Sequence, residues 1–425
     1  MRWWRLAQLA ALAAAGLAAG CSAANSVAAD EDAGDEGGGA ADDAPPDALD
    51  ATTPDATIGA SDASDARESD AWTNDATASD DATGEHDVHA PPIDAGPPPD
   101  CGVFGDASEP LDLACTGLYS DWPSRTVAHD ARPFTPGYVL WSDGAEKQRW
   151  IQLPPGTQID TSDMDQWNFP VGTKVWKQFS LGGQLVETRF LWKRAPRDWL
   201  YTTYAWSSDG ASATELTSGE HGWNGTSYEI PAQWMCQDCH AGRIDFVLGF
   251  EAVSLAASGA SGLTLTELVN EGLVTQPPAT PIVVPGTPTE SAALGWLHAN
   301  CGTTCHNDTS WACVTTLFMR LEVGKLGSVQ ETDTWNTAVG QPLALLNDGF
   351  MPPWPMLRIT PGDPMQSCVY YRPSVRDPGP AMPNQMPPLD THIVSDAGIA
   401  LVAAWIESMP LDAGPSPGDA SPDGP

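Results

Sequence analysis

The segment Cys236-Gln-Asp-Cys239-His240 places two thiols and an imidazole within five residues. Two cysteines three apart, followed at once by histidine, suit covalent attachment of haem. The thiols add to the two vinyl groups of one porphyrin edge, and the next imidazole is then held beneath the iron as axial ligand. A second group, Cys301-Gly-Thr-Thr-Cys305-His306, has one more residue between its cysteines. It reads as a second attachment site whose longer loop must bulge, or as a disulfide in a decayed site. One haem c is expected from the first group and a second from the other. The four thiols could instead hold zinc, which leaves His240 and His306 without a role.

Five further cysteines need places. Arg2 and Arg5, an apolar run from Leu6 to Ala19 and then Gly20-Cys21 have the layout of a secretory signal. The run is too short to span a bilayer. Leu17-Ala-Ala-Gly-Cys21 resembles the lipobox of bacterial lipoproteins with its leucine one place early, which implies lipidation at Cys21. A plain signal peptide cleaved near Ala24 is the alternative. Export places the chain in an oxidising compartment, so Cys101, Cys115, Cys313 and Cys368 are expected as two disulfides. Cys101 with Cys115, a local pair, and Cys313 with Cys368, which lie in one segment, are the expected pairings, although spacing does not prove connectivity.

Charge separates a tether from a folded part. Residues 22–100 carry 21 Asp or Glu against Arg67 alone, in an Ala, Pro, Gly, Ser and Thr background that cannot bury a core. As a disordered acidic linker this stretch would reach roughly 50 Å and hold the rest off a membrane surface. A formal charge of -37 repels nucleic acid and anionic headgroups, whereas a basic redox protein would be steered towards the chain.

The candidate residues need elements to position them. Residues 116–234 read as a β-rich domain, a sandwich or small barrel, with runs such as Lys174-Val-Trp-Lys-Gln-Phe broken by Pro-Gly, Gly-Gly and Asp-Gly turns. Ten of the 18 tryptophans fall there, and without a carboxylate cluster beside them they read as core and sheet surface. Arg125, Arg149, Arg189 and Asp143 are expected to pair internally. Residues 235–275 form a first haem-binding segment, and Pro-rich stretches suggest a boundary near 276–288. Residues 288–410 follow as a helical domain, with Thr289 as cap of a helix through Asn300, and Ser395 as cap of one carrying Ile399, Val402 and Ile406. Residues 411–425 read as a disordered tail.

From about 116 to 409 the chain resembles a bacterial family of uncharacterised c-type cytochrome-like proteins, some fused to quinoprotein sugar-dehydrogenase-like propellers. The residues that carry this are Leu140-Trp-Ser-Asp-Gly-Ala-Glu-Lys-Gln-Arg-Trp-Ile, Trp167-Asn-Phe-Pro-Val-Gly-Thr-Lys, Glu187-Thr-Arg, Cys236-Gln-Asp-Cys-His, His298-Ala-Asn-Cys and Met386-Pro-Pro. The resemblance implies an all-β domain followed by an α-helical cytochrome c-like domain, after the acidic linker. The order of motifs after the second cluster is similar to the C-terminal half of small c-type cytochromes. There the methionine of a Met-Pro-Pro loop caps the haem, which implies Met386 as axial ligand, with Met382 and Met351 as competitors; each also reads as core filler. For the first cluster only His298, His221 and Met235 are at hand, and a five-coordinate iron is the alternative.

Electron transfer in the cell envelope is the function these readings favour, with redox donor and acceptor proteins as partners and a lipid anchor to the membrane. A haem enzyme such as a peroxidase would need an open iron, and no acid–base pair stands out to serve it. A binding lipoprotein held by zinc or disulfides is the third possibility.

Overall fold

The computed structural model describes residues 101, 110, 112–240, 245, 247–343, 357–376 and 385–414. The signal segment with Cys21, the acidic stretch 22–100, Met351, Met382 and the tail beyond residue 414 lie outside the described residues. Among the described residues no helix is long and apolar enough to cross a membrane.

Alternating aromatic and polar residues make the sheet. Strands β1 (Tyr119–Asp121) and β2 (Thr126–Val127) form a small ribbon. Seven more build an antiparallel sheet: β3 (Arg132–Thr135), β4 (Glu146–Gln152), β5 (Lys174–Leu181), β6 (Gln184–Ala195), β7 (Asp198–Trp206), β8 (Ala213–Glu215) and β9 (Ser261–Gly262). Their order is β8-β7-β6-β5-β4-β3-β9, a meander closed at one edge by the late strand β9. Gly182 and Gly183, both at positive φ, supply the two-residue turn between β5 and β6.

Period-two alternation sends Trp150, Trp176, Phe190, Leu200, Tyr204 and Trp206 to one face, where Leu113, Leu118 and Trp122 cover them. The indole of Trp176 donates to Thr116 Oγ1 at 2.9 Å, so this large buried ring leaves no polar atom unpaired. A disulfide between Cys101 and Cys115 ties the start of the covering segment.

The opposite face carries Ile151, Val175, Leu191 and Trp199, and the rest of the chain packs on it. That remainder has short helices α1 (Cys236–His240), α2 (Ala252–Ala256), α3 (Leu265–Asn270), α4 (Pro288–Leu297), α5 (Asp333–Ala338), α6 (Cys368–Tyr371) and α7 (Asp396–Ser408). The cap of helix α4, Thr287, lies two residues before the expected Thr289. Thr287 and Glu290 form a reciprocal capping box with Pro288 in the first turn. Helix α7 is capped by Ser395, whose hydroxyl accepts from the Gly398 amide. It packs on α4, and Gly398 faces the Trp296 indole so closely that a Cβ there would lie 2.1 Å from it.

This corrects the expected architecture. An all-β domain followed by an α-helical cytochrome c-like domain is not what forms, because the helices are short and share one apolar core with the sheet. That core runs from Phe134 and Val175 through Leu268, Ile282 and Leu294 to Ile359, Val402 and Trp405. The proline-rich stretch near 276–288 puts Ile282 and Val284 into it. Upstream, the Ile159 amide donates to Leu273 O and the Thr275 amide to Ile159 O, which stitches the sheet region to the segment after α3. The expected Cys313–Cys368 bridge is also corrected: Cys368 is a free thiol.

Candidate functional site

The first cluster occupies one helical turn. In α1 the spacing of three residues puts Cys236 and Cys239 on the same side, with His240 ending the turn and its ring 5.3 Å from that of Tyr201. Both cysteines are free thiols, and burial raises their pKa values, that of Cys239 to about 12.

The second cluster solves the problem of its extra residue by changing helix type. At the end of α4 the chain continues as a π-helical turn over His298–Gly302. The Thr303 amide donates to His298 O at 2.8 Å and the His306 amide to Cys301 O at 2.8 Å, both five residues back. A π turn absorbs one residue relative to an α turn. Cys301, Cys305 and His306 thus span a single wider turn, as Cys236, Cys239 and His240 span an α turn. Gly302 permits the segment behind to approach: a Cβ on it would lie 2.4 Å from the Arg320 nitrogen and from Met319 backbone atoms.

His306 is held in one tautomer. Its Nδ1 lies 3.3 Å from the carbonyl oxygen of Leu317, which can only accept, so Nδ1 carries the proton and Nε2 keeps its lone pair. Burial pushes the ring's pKa down to about 4, which keeps it neutral. The Leu317 carbonyl is itself fixed. Arg358 donates to Thr315 O, Thr316 O, Thr316 Oγ1 and Thr337 O at 2.6 to 2.9 Å, and Thr337 Oγ1 accepts from the Phe318 amide.

The two clusters are neighbours. Cys305 is close enough to Cys239 for its charge to add to the effect of burial there, and Asp238 acts on Cys305 in the same way. The charge of Asp390 adds to the upward pull of burial on the Cys236 and Cys239 thiols, and its own carboxyl is pushed up to about 6 by burial despite nearby Arg189. Met386, half-buried in the same loop, donates its amide to Arg372 O at 3.0 Å, and Arg372 lies within electrostatic reach of His306. The loop is clamped from the sheet side: Asp143, at φ +49, accepts the amides of His392 and Ile393 at 2.7 and 3.1 Å. Trp141 Nε1 donates to Ile393 O at 2.9 Å.

Two residues considered for the first iron are engaged elsewhere. His298 accepts the Leu321 amide at Nδ1 and faces Glu251 with Nε2 at 3.2 Å. His221, on the surface, pairs with Glu229 at 2.9 Å. Met235 immediately precedes α1 and is half-buried. Of the arginines expected to pair internally, Arg189 holds Glu187 through two bonds, and Arg125 lies over Trp122 and Trp206 while donating to Gly210 O. Arg149 makes no hydrogen bond or ion pair among the described residues.

The donor set fits a haem. Among the described residues no three His, Cys, Asp or Glu side chains form a group that could hold a metal ion. A haem brings four nitrogens of its own and asks the chain for thiols at vinyl spacing and an axial imidazole, which His306 offers in the right tautomer. Sequence reasoning did not find Arg358, Thr337, Gly302 or the Leu317 carbonyl, since none belongs to a local motif. No family model, curated protein or solved structure matches the chain.

Proposed function

We propose that the chain is an electron carrier of the c-type cytochrome kind, with one haem attached at Cys236 and Cys239 and a second at Cys301 and Cys305. His240 and His306 serve as axial ligands. The observation that carries this reading is the His306 ring, neutral, with Nδ1 committed to the Leu317 carbonyl and Nε2 left with its lone pair. The π turn supports the second attachment, because it brings Cys301, Cys305 and His306 into one turn despite the longer spacing.

Each thiol would add its S–H across a vinyl double bond, so that an S–C bond forms, the proton goes to the neighbouring carbon and no oxidant or reductant is consumed. Once bound, the group supplies reversible one-electron chemistry. The chain's part is to hold the imidazoles, to cover the ring with the 385–393 loop and to place the two sites side by side for a relay. Met386 is the side chain of that loop we assign to the second iron. The signal layout and Cys21 support export and lipid anchoring, and the acidic charge favours a basic redox partner over nucleic acid.

A pyridine haemochrome spectrum and a haem-stained denaturing gel, on protein made beside a cytochrome c maturation system, test the reading. Two covalent haems in the wild type and one in Cys305→Ser are expected. One in both would remove the second site, and none would send the four thiols back to zinc analysis.

A further inference from the structure

We propose that Arg149 and Lys177, on the covered face of the sheet, hold a single halide ion between the sheet and the back of the turn that carries Cys301 and Cys305. Strand register places Arg149 opposite Lys177 and Lys177 opposite Arg189, so three cations stand side by side across β4, β5 and β6. Lys147 stands two residues before Arg149 on the same face. Like charges directly opposite one another destabilise a sheet. Here they gather in a chain with only 19 lysines and arginines against 56 acidic residues.

The carboxylates nearby do not neutralise all of them. Glu187 takes Arg189 through both oxygens and also accepts from Tyr228 at 2.7 Å. Asp143 is committed to the His392 and Ile393 amides. Lys147 donates to the Leu140 carbonyl, whereas neither Arg149 nor Lys177 has a hydrogen bond or ion pair among the described residues. Lys177 lies 5.3 Å from the centre of the Phe179 ring, a contact that leaves its charge unpaired. Arg149 is only 5% exposed. A buried guanidinium and ammonium without an anion are costly. Desolvation pulls Arg149 down to about 10, and desolvation with the neighbouring cations pulls Lys177 well below the usual lysine range.

The two cations line a small cleft together with Tyr138, Leu140, Ala299 and Thr303. It has room for about one water-sized body. Sulfate, phosphate and organic carboxylates are too large for it, which leaves a water or a monatomic ion. A water would solvate the cations without cancelling either charge; a halide accepts from both and cancels one. No carboxylate lines this cleft, since Asp165, Asp245 and Glu251 belong to the neighbouring one. Arg149 offers several N–H donors and Lys177 a point charge. The Tyr138 hydroxyl, which makes no hydrogen bond among the described residues, is a third donor. Ala299 and Thr303 are four residues apart and share one side of the turn, where the Thr303 hydroxyl donates to Ala299 O at 3.3 Å. Cys301 and Cys305 share another side, so the ion's place does not depend on haem being attached.

The test titrates the full chain with sodium chloride against sodium gluconate at constant ionic strength, in wild type, Arg149→Gln, Lys177→Met and the control Arg132→Gln. The control removes a cation paired with Glu271 on the surface. Chlorine NMR line width and melting temperature are read. Wild type and control should show a saturable broadening that bromide abolishes, and a melting temperature that rises with chloride but not with gluconate. Arg149→Gln and Lys177→Met should each weaken chloride binding about tenfold or more, as expected for loss of a charged donor. No saturable broadening in the wild type would leave water in the cleft and overturn the proposal. Broadening that survives unchanged in both variants would place the ion elsewhere, with the same consequence. Sulfate that competes with chloride as well as bromide does would show an open cationic patch instead of a closed site, and would also overturn it. Should the variants fail to fold, wild-type crystals grown in bromide decide. An anomalous peak between Arg149 and Lys177 is expected, and its absence rules the site out.

Discussion

The backbone amide of Trp141 donates to Asn300 Oδ1 at 2.7 Å, while the Asn300 amide group donates to Val139 O and Trp296 O at 3.2 and 2.9 Å. One buried side chain beside Cys301 therefore bonds to the Leu140-Trp-Ser-Asp loop ahead of β4 and to the last turn of α4. The two parts of the chain cannot separate without stranding these groups. Asn300→Ala should cost about 1–3 kcal/mol. Urea unfolding followed by tryptophan fluorescence and by far-ultraviolet dichroism should give one coincident transition in wild type and variant alike. Two separated transitions would mean that sheet and helices fold as independent domains.

Gly302 gives a sharper test of the π turn. A methyl group there would lie 2.4 Å from the Arg320 nitrogen and from Met319 backbone atoms, so the backbone behind the turn must move. Gly302→Ala should destabilise by about 1–3 kcal/mol, the usual range for overpacking. It should also lower the haem attached at Cys301 and Cys305, read as stain per mole of protein in a Cys236→Ser, Cys239→Ser background that leaves only that site. Full loading with unchanged stability would show that the close approach is not needed.

Much of the candidate site was legible because its motifs are local. Cys236, Cys239 and His240 fall within one turn, and the Ser395 cap and the Val402–Ile406 face of α7 follow from short-range spacing. Fold class was not, because the share of a core that each short helix takes depends on partners far along the chain. Asp143 reaches His392 across about 250 residues, and no periodicity signals that. Alternation in β4 and β5 puts Trp150 and Trp176 on one face and Arg149 and Lys177 on the other, yet charged positions on a strand ordinarily mean solvent. Only the packing of the 248–303 region over them shows that this charged face is covered. The Cys313–Cys368 pairing failed for the same reason, since only their place in one segment carried the guess and Cys368 is a free thiol.

Glu251 sets a pH dependence. Burial opposes its charge, but His298 and the Ser254 amide hold its pKa below the ordinary 4.5, and it caps the start of α2 by accepting the Val253 and Ser254 amides. A carboxyl lowered in this way contributes stability above the unfolded value and loses it as pH falls through the folded one. Glu251→Gln should be less stable by about 1–2 kcal/mol at pH 7. The gap should narrow as the pH drops below about 4.5. Urea midpoints at both pH values check this, and a gap of constant size would leave Glu251 neutral in the native state.

Arg358 is the last residue we assign to the site, as a positioning group for His306. Only 6% exposed, it donates to four acceptors on Thr315, Thr316 and Thr337, and so fixes the loop whose Leu317 carbonyl receives the His306 Nδ1–H. A lysine has three donors on one nitrogen and cannot span acceptors that a planar fork reaches. Arg358→Lys should therefore keep part of the stability that Arg358→Met loses, about 3 kcal/mol for a buried charged donor. The carbonyl makes the imidazole a more basic ligand, and a more basic ligand favours the ferric state. Loosening it should raise the potential of the haem at Cys301 and Cys305 while leaving that at Cys236 and Cys239 in place. A redox titration of both variants, resolved into two waves, makes the comparison. Equal shifts in the two waves would reduce Arg358 to a general stabiliser of the fold.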